Sequence, residues 1–320
     1  MNEIEVRVAK KTCEARDINA YELVAADGES LPAFEAGSHV DVFLPNGLVR
    51  QYSLCGGPPQ QGRYRIAVLR DPKSRGGSQA VHDAVHEGDT MRIGAPRNLF
   101  PLAEGTHASV LLAGGIGVTP LLAMAYHLHA QGRPFELHYF ARSRERVAFL
   151  TELLTGAFAD QVVLHLDDQL PQGSQPVREV VASLQTSRPD AHVYSCGPAG
   201  FLQHVSDTLA AVSWPAGQTH SETFTAPEPV TGGSFELRIA STGETVVVGP
   251  NETVVAAAAR LGIDIPVSCE QGICGTCVTR VLEGVPDHHD QYFSDAEHAA
   301  NDQFTPCCSR AKSRVLVLDL

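Results

Sequence analysis

Residues 269–277 read Cys-Glu-Gln-Gly-Ile-Cys-Gly-Thr-Cys, which sets Cys269, Cys274 and Cys277 in a C-x4-C-x2-C pattern; Cys307 and Cys308 follow after 29 more residues. Three thiolates from one glycine-rich loop and a fourth from a distant segment is the ligand spacing of a 2Fe–2S cluster. The loop composition has a physical reason. A chain that wraps a cluster must turn thiols and backbone N–H groups toward inorganic sulfide. Gly272 and Gly275 permit the backbone angles and close approach this requires. The N–H groups then hydrogen-bond the sulfurs and help set the potential.

Two other readings of these cysteines compete. Disulfides belong to exported chains, and Met1-Asn2-Glu3-Ile4-Glu5 has neither a basic region nor an apolar core, so no export signal is expected. A zinc ion could take Cys274 and Cys277 with Cys307 and Cys308. Adjacent Cys307 and Cys308 are awkward ligands for one tetrahedral ion, however, and Cys269 would be left over. The iron–sulfur reading uses the whole pattern, with either Cys307 or Cys308 as fourth ligand.

Working outward, 320 residues are too many for one ordinary core and imply two or three domains. A chain that is 43% hydrophobic and 19% charged folds as a globular protein. Its net charge of −13, from 24 basic and 37 acidic residues, argues against nucleic acid or another polyanion as partner. Residues 234–320 carry 12 Asp and Glu against 6 Lys and Arg, an acidic surface that could steer a basic redox partner. Nothing between Glu104 and Arg133 is formally charged, but Gly114, Gly115, Gly117 and Pro120 interrupt the stretch. That pattern suits strand, turn and helix better than a membrane span. A soluble, cytoplasmic protein without a membrane partner is expected.

The first third alternates apolar and polar residues in short runs at 4–8, 21–25, 39–44 and 64–69, and Pro45-Asn46-Gly47 marks a turn between strands. Many short strands with few helices predict an antiparallel barrel. Arg50-Gln51-Tyr52-Ser53-Leu54 follows the turn, with Arg50 and Tyr52 on one strand face and Gln51 and Ser53 on the other. An arginine fork suits a phosphate, a tyrosine ring suits a flat heterocycle, and a serine hydroxyl can bond a ring nitrogen. Next, Arg75-Gly76-Gly77-Ser78 precedes a short helix at 80–85. Glycines ahead of a helix leave N–H groups free for an anion; read plainly, this is a helix with Ser78 as N-cap.

The middle of the chain changes period. An apolar strand at 109–113 leads into Gly114-Gly115-Ile116-Gly117-Val118-Thr119-Pro120 and a helix at 121–130. Strand, glycine turn, helix is the setting in which a loop binds pyrophosphate. Strands at 135–140, 162–166 and 192–196 complete a doubly wound, mostly parallel sheet. The last of them ends in Cys196-Gly197-Pro198, at the strand end where such sheets hold ligands. Cys196 reads equally well as a small buried hydrophobe. Phe224 stands in a polar stretch, as a surface residue or a lid over a ring. Pro227, Pro229, Gly232 and Gly233 mark a linker, beyond which strands at 235–239 and 245–248, a helix at 253–261 and a closing strand at 315–318 surround the cysteine loop. None of the 14 histidines is assigned a catalytic or metal role.

With these motifs in place, the whole chain resembles the phthalate dioxygenase reductase family, which includes the vanillate O-demethylase reductases. The likeness rests on R-Q-Y-S-L, R-G-G-S, P-R-N-x-F-P-L at 96–102, G-G-I-G-V-T-P, C-G-P and the cysteine pattern. It implies an antiparallel flavin-binding β-barrel over residues 1–103, a doubly wound α/β nicotinamide-binding domain over 104–228 and a C-terminal β-grasp ferredoxin over 229–320. The cofactors implied are FMN rather than FAD, NADH, and a 2Fe–2S cluster held by Cys269, Cys274, Cys277 and Cys307. Arg50, Gln51, Tyr52, Ser53, Gly76, Gly77 and Ser78 would hold the flavin, with Ser53 near N5. Gly114, Gly115, Gly117, Thr119, Gly197 and Pro198 would line the dinucleotide, Cys196 would lie near hydride transfer, and Phe224 would shield the flavin.

One departure concerns the nucleotide. NADH-using members often place a carboxylate after the arginine that ends the second strand of this module; here Arg142 is followed by Ser143-Arg144, a pair that could accept a 2′-phosphate. The expected activity is that of a reductase component feeding electrons to a Rieske-type aromatic oxygenase. Alternatives are the same wire feeding a cytochrome P-450, or a nonenzymatic ferredoxin-like module.

Overall fold

The computed structural model describes residues 3–57, 62–72, 74, 76–105, 107–224, 231–267, 270, 272, 275–290 and 292–320. Cys269, Cys274 and Arg75 lie outside them. The chain divides into two compact units, Met1–Thr225 and Ala226–Leu320.

The first unit opens with β1 (Glu3–Ala15), β2 (Ile18–Ala25), β3 (Ser38–Phe43), β4 (Val49–Ser53) and β5 (Arg63–Leu69). Helix α1 (Gly77–Ala84), β6 (Thr90–Gly94) and β7 (Arg97–Asn98) follow. The sheet order is β4-β3-β6-β1-β2-β5, with β7 paired to β3, and an antiparallel Leu54–Ile66 bridge joins its two ends into a barrel. Alternation places Val6, Val8, Tyr21, Leu23, Val40, Val42, Tyr64 and Ile66 inside. Register shifts in β1 after Val8 and Cys13 bend the long strand around the barrel. Val81 and Val85 seat α1 on the same core, where the Tyr21 hydroxyl donates to Val81 O at 3.2 Å.

Next come β8 (Ser109–Gly114), α2 (Val118–Ala130), β9 (Phe135–Ala141), α3 (Leu150–Thr155) and β10 (Val162–Leu166). Helix α4 (Pro176–Ser187), β11 (His192–Gly197), α5 (Ala199–Ala211) and β12 (Thr219–Thr223) complete the unit. Their parallel sheet runs β10-β9-β8-β11-β12, so the winding reverses between β8 and β11. Leu121, Leu122 and Met124 of α2 cover one face, and Val177, Val181, Val205 and Leu209 of α4 and α5 the other. The core under α2 continues into Ile18, Ala20, Cys55 and Ala67 of the barrel, which is why barrel and sheet form one unit. The uncharged run after Glu104 is thus strand, turn and helix. Among the described residues no helix is long and apolar enough to cross a membrane.

The second unit contains β13 (Phe235–Ile239), β14 (Thr245–Val248), α6 (Val254–Ala259), β15 (Thr279–Glu283) and β16 (Pro286–Asp287). After them come α7 (Asp295–Ala300), β17 (Gln303–Phe304), β18 (Arg310–Ala311) and β19 (Val315–Leu318). The sheet order β14-β13-β19-β15-β17, with β13 and β19 parallel and α6 packed on β13 and β14, is the β-grasp arrangement. Thr253 caps α6 by accepting from Ala256 N at 3.1 Å, a contact worth about 1 kcal/mol.

The expected fold class holds, with two local corrections. Helix α1 starts at Gly77, so Ser78 is inside it rather than capping it; Gly76, at φ 92°, is the N-cap, and Ser78 Oγ accepts from Asp71 N at 3.2 Å. The strand Thr219–Thr223 lacks an apolar alternation and was not foreseen; it forms because β11 offers it an unpaired edge.

Candidate functional site

In the first unit, three elements bring chemistry together at the reversal of the parallel sheet. The turn at Gly115–Gly117 leads straight into α2, and Thr119 Oγ1 steadies it by donating to Ile116 O at 3.1 Å. Gly117 packs directly on the backbone of Cys196 and Gly197, where any Cβ would overlap the Cys196 carbonyl. Only glycine lets these two loops, after β8 and β11, meet at the strand ends. Pro198 then opens α5.

Cys196 pairs in register with Glu222 of β12. The Ser53 side chain, from β4 of the barrel, lies beside the Glu222 carboxylate, whose Oε2 is sealed from solvent and has no hydrogen-bond partner among the described residues. Burial pushes Glu222 up to about 8, a rise that the neighbouring Ser53 hydroxyl only partly offsets. Burial, with Glu222 beside it, likewise raises the Cys196 thiol well above its usual range, so it stays protonated. Glu222 was not singled out from the sequence; its one local signal is a carboxylate two residues before Phe224. Phe224 itself lies one residue past β12 and is exposed.

The barrel side of this unit supplies an anion cradle. Arg50 lies over Gly77 so closely that a Cβ there would stand 2.8 Å from Arg50 Nε. Among the described residues, helix α1 has no side-chain cap and no acidic residue in its first turn, which leaves its N-terminus suited to an anion. Among the described residues no carboxylate pairs with Arg50, whose Nη1 donates only to Val49 O at 2.7 Å. A guanidinium over a bare helix N-terminus fits a phosphate. Tyr52 packs against the barrel core beside it. Gln51 Nε2 donates to Asp41 Oδ1 at 3.1 Å, and Arg97 holds both oxygens of Asp41 at 2.8 and 2.7 Å.

In the second unit, Cys277 is 3% and Cys307 6% exposed, and their thiols are in mutual contact. Cys277 and Cys308 as thiol neighbours, together with burial, raise Cys307 above its ordinary value. Two buried thiols crowded against each other are a donor set that a metal would turn into a thiolate pair. Cys308 is held differently, 3.2 Å from Thr305 Oγ1 and 3.9 Å from Ser309 Oγ. Gly272 and Gly275 have φ of +71° and +69°, the left-handed region expected for the loop, and Gly272 is wedged against Cys308 Sγ. The residues present therefore fit a 2Fe–2S cluster.

Comparison with known proteins agrees. Residues 237–312 match the family described as the 2Fe-2S iron-sulfur cluster binding domain. The chain is 51% identical over 319 residues to the vanillate O-demethylase oxidoreductase of Pseudomonas sp. (strain HR199 / DSM 7063), covering 99% of this chain and 100% of that one. A structure of phthalate dioxygenase reductase, described as modular for electron transfer from pyridine nucleotides to 2Fe–2S, superposes with a TM-score of 0.77 at 38% identity, covering 100% of this chain and 98% of that one. An intact type IV self-sufficient cytochrome P-450 monooxygenase matches with a TM-score of 0.83 at 36% identity, over 99% of this chain and 41% of that one. The fold and the cysteine loop define an iron–sulfur oxidoreductase. The chain belongs to the reductase family that contains vanillate O-demethylase oxidoreductase and phthalate dioxygenase reductase.

Proposed function

We propose that the chain takes hydride from NADH and delivers single electrons to a Rieske-type aromatic oxygenase, a dioxygenase or an O-demethylase. Bound FMN supplies the conversion of an electron pair into single electrons, and a 2Fe–2S cluster relays them one at a time. The single observation that carries the reading is the meeting of Ser53, Cys196 and Glu222 at the reversal of the parallel sheet, beside the Arg50 cradle.

Each residue then has a task. Arg50, Gly76, Gly77 and Ser78 at the start of α1 bind the flavin phosphate, and Tyr52 packs beside the ring. Gly114, Gly115 and Gly117 bring backbone N–H groups against the dinucleotide, with Thr119 steadying their turn and Gly197 and Pro198 facing it. Ser53 orients the flavin ring near N5, while Glu222, kept neutral by burial, presents a proton at Oε2. Cys196 fills the strand end without ionising and keeps water from the hydride path. Phe224 covers the flavin until nicotinamide arrives. Cys269, Cys274, Cys277 and Cys307 hold the cluster. The three tasks map onto modules 1–103, 104–228 and 229–320, in a cytoplasmic protein.

A cytochrome P-450 acceptor is the second reading, favoured by the match across 99% of this chain to part of a self-sufficient P-450 monooxygenase. Anaerobic NADH addition, followed by visible absorption and low-temperature EPR, tests the proposal. Flavin bleaching together with the rhombic signal of a reduced 2Fe–2S centre is expected; bleaching without the signal refutes the wire. Turnover with a purified Rieske oxygenase against a P-450 then distinguishes the acceptors.

A further inference from the structure

The turn that follows β16 carries a buried carboxylate with an unusual number of partners. The Asp290 side chain is wholly removed from solvent. Its Oδ2 accepts from Tyr292 N at 3.2 Å, Phe293 N at 3.0 Å and His298 Nε2 at 3.2 Å. Its Oδ1 accepts from Ser309 Oγ at 3.4 Å and lies 3.5 Å from His288 Nδ1. A buried carboxylate is costly unless it is satisfied in this way, so the site is built around it.

What those contacts hold is the cysteine loop. Asp290 lies directly on Gly272: a Cβ on that glycine would stand 2.8 Å from Asp290 Cα and 2.5 Å from Cys308 Sγ. The two N–H groups that Asp290 fixes close a turn carrying the Tyr292 ring onto Gly275, where any Cβ would overlap the ring. On its other side, Ser309 Oγ accepts from His289 N at 3.1 Å and stands 2.9 Å from Thr305 Oγ1, which is 3.2 Å from Cys308 Sγ. Both loop glycines and the segment bearing Cys307 and Cys308 are therefore tied to one side chain.

His288, Asp290 and His298 also place possible ligand atoms within 4.8 Å of one another. The two imidazoles lie 4.4 Å apart at 32°, so their in-plane lone pairs run side by side rather than converging, and Asp290 Oδ2 already serves three donors. A second metal is the poorer use of this cluster.

We propose that Asp290 is the positioning residue of the cluster loop: it lies on Gly272, fixes Tyr292 over Gly275 and couples both through Ser309 to the Cys307–Cys308 segment. This rests on the 2Fe–2S reading above. The test uses the full-length holoprotein and the variants Asp290→Ala, Asp290→Asn and Ser309→Ala. Readouts are iron and flavin per chain, the EPR line shape of the reduced centre and its midpoint potential. Asp290→Ala is expected to lose iron at least fivefold with flavin content unchanged. Asp290→Asn keeps an oxygen for the turn N–H groups, so it is expected to retain iron while its potential rises, because a negative charge beside the loop is gone. Ser309→Ala is expected to retain iron but to release it severalfold faster to a chelator.

Full iron and wild-type potential in Asp290→Ala would overturn the proposal. If that variant does not fold, Asp290→Asn decides: unchanged potential and line shape overturn it equally. A wild-type protein without any 2Fe–2S signal would overturn both this proposal and the reading beneath it, whereas a normal wild-type signal with indifferent variants removes this proposal alone.

Discussion

Replacing Glu222 with Gln is expected to stabilise the protein, and to do so more as pH rises. The folded protein moves this carboxyl from its ordinary 4.5 to about 8. At a pH below both values the group is neutral whether the chain is folded or not, and Gln is its equal. Between them the unfolded chain ionises and the folded one cannot, so wild type loses roughly 1.4 kcal/mol per pH unit. At neutral pH the Gln variant leads by roughly 3 kcal/mol; beyond about pH 8 the gap levels off near 5 kcal/mol. Near pH 5 it is below about 1 kcal/mol. With roughly 2–4 °C per kcal/mol for a folding unit of this size, the neutral-pH difference is a rise of roughly 6–12 °C in Tm. Calorimetry of flavin-stripped protein across this pH range measures it. A gap that is equal at both ends of the range, or a variant less stable than wild type, would show that Glu222 ionises freely in the folded state and refute the reasoning. The gain in stability comes with a loss of function: full reduction of FMN by NADH takes up one proton beside the hydride, which neutral Glu222 can supply and Gln cannot. Flavin reduction is therefore expected to fall off above about pH 8 in wild type and to be slower but pH-independent in the variant.

Arg50→Ala is expected to weaken FMN binding roughly 10- to 100-fold, as loss of a charge-assisted phosphate contact should; fluorescence titration reads this, and unchanged affinity places the phosphate elsewhere. Cys307→Ser is expected to abolish the 2Fe–2S absorption while Cys308→Ser retains it, because Cys307 faces Cys277 and Cys308 faces Thr305; iron analysis of both variants decides. Glu152→Gln is expected to cost about 2–4 kcal/mol, measured by urea unfolding of the first unit. Glu152 takes two bonds from Arg65 at 2.7 and 2.8 Å and one from the Tyr126 hydroxyl at 2.7 Å, and the ion pair is only 23% and 24% exposed.

Where an element owed its form to its own residues, reading the chain was enough. The strands Val162–Leu166, Phe235–Ile239, Thr245–Val248 and Val315–Leu318 are expected from the sequence at these bounds, since a short apolar or alternating run between turn residues is a local property. Strand β12 was not foreseen, because Thr-His-Ser-Glu-Thr carries no such signal and pairs only because a neighbouring edge accepts it. With it goes Glu222, whose importance is its burial beside a serine on a distant strand. Ser78 failed as a cap for a related reason: Gly76 could take the left-handed turn itself, which let α1 begin before the first residue with helical character. Gln51 shows another contact of this kind: alternation puts it on the same face as Ser53, and its Nε2 donates to Asp41, which Arg97 also holds.

Read from the residues alone, this chain reveals its cysteine loop, its glycine turn and its succession of barrel, parallel sheet and β-grasp. Each depends on covalent spacing, on the backbone freedom of glycine or on a short repeat, and none needs a distant partner. Folding settles which charges and thiols meet. It seats Ser53 on Glu222, turns Cys307 toward Cys277 and sets Asp290 behind Gly272. Those contacts join residues far apart in the chain, and their energies come from burial, which a linear sequence does not display.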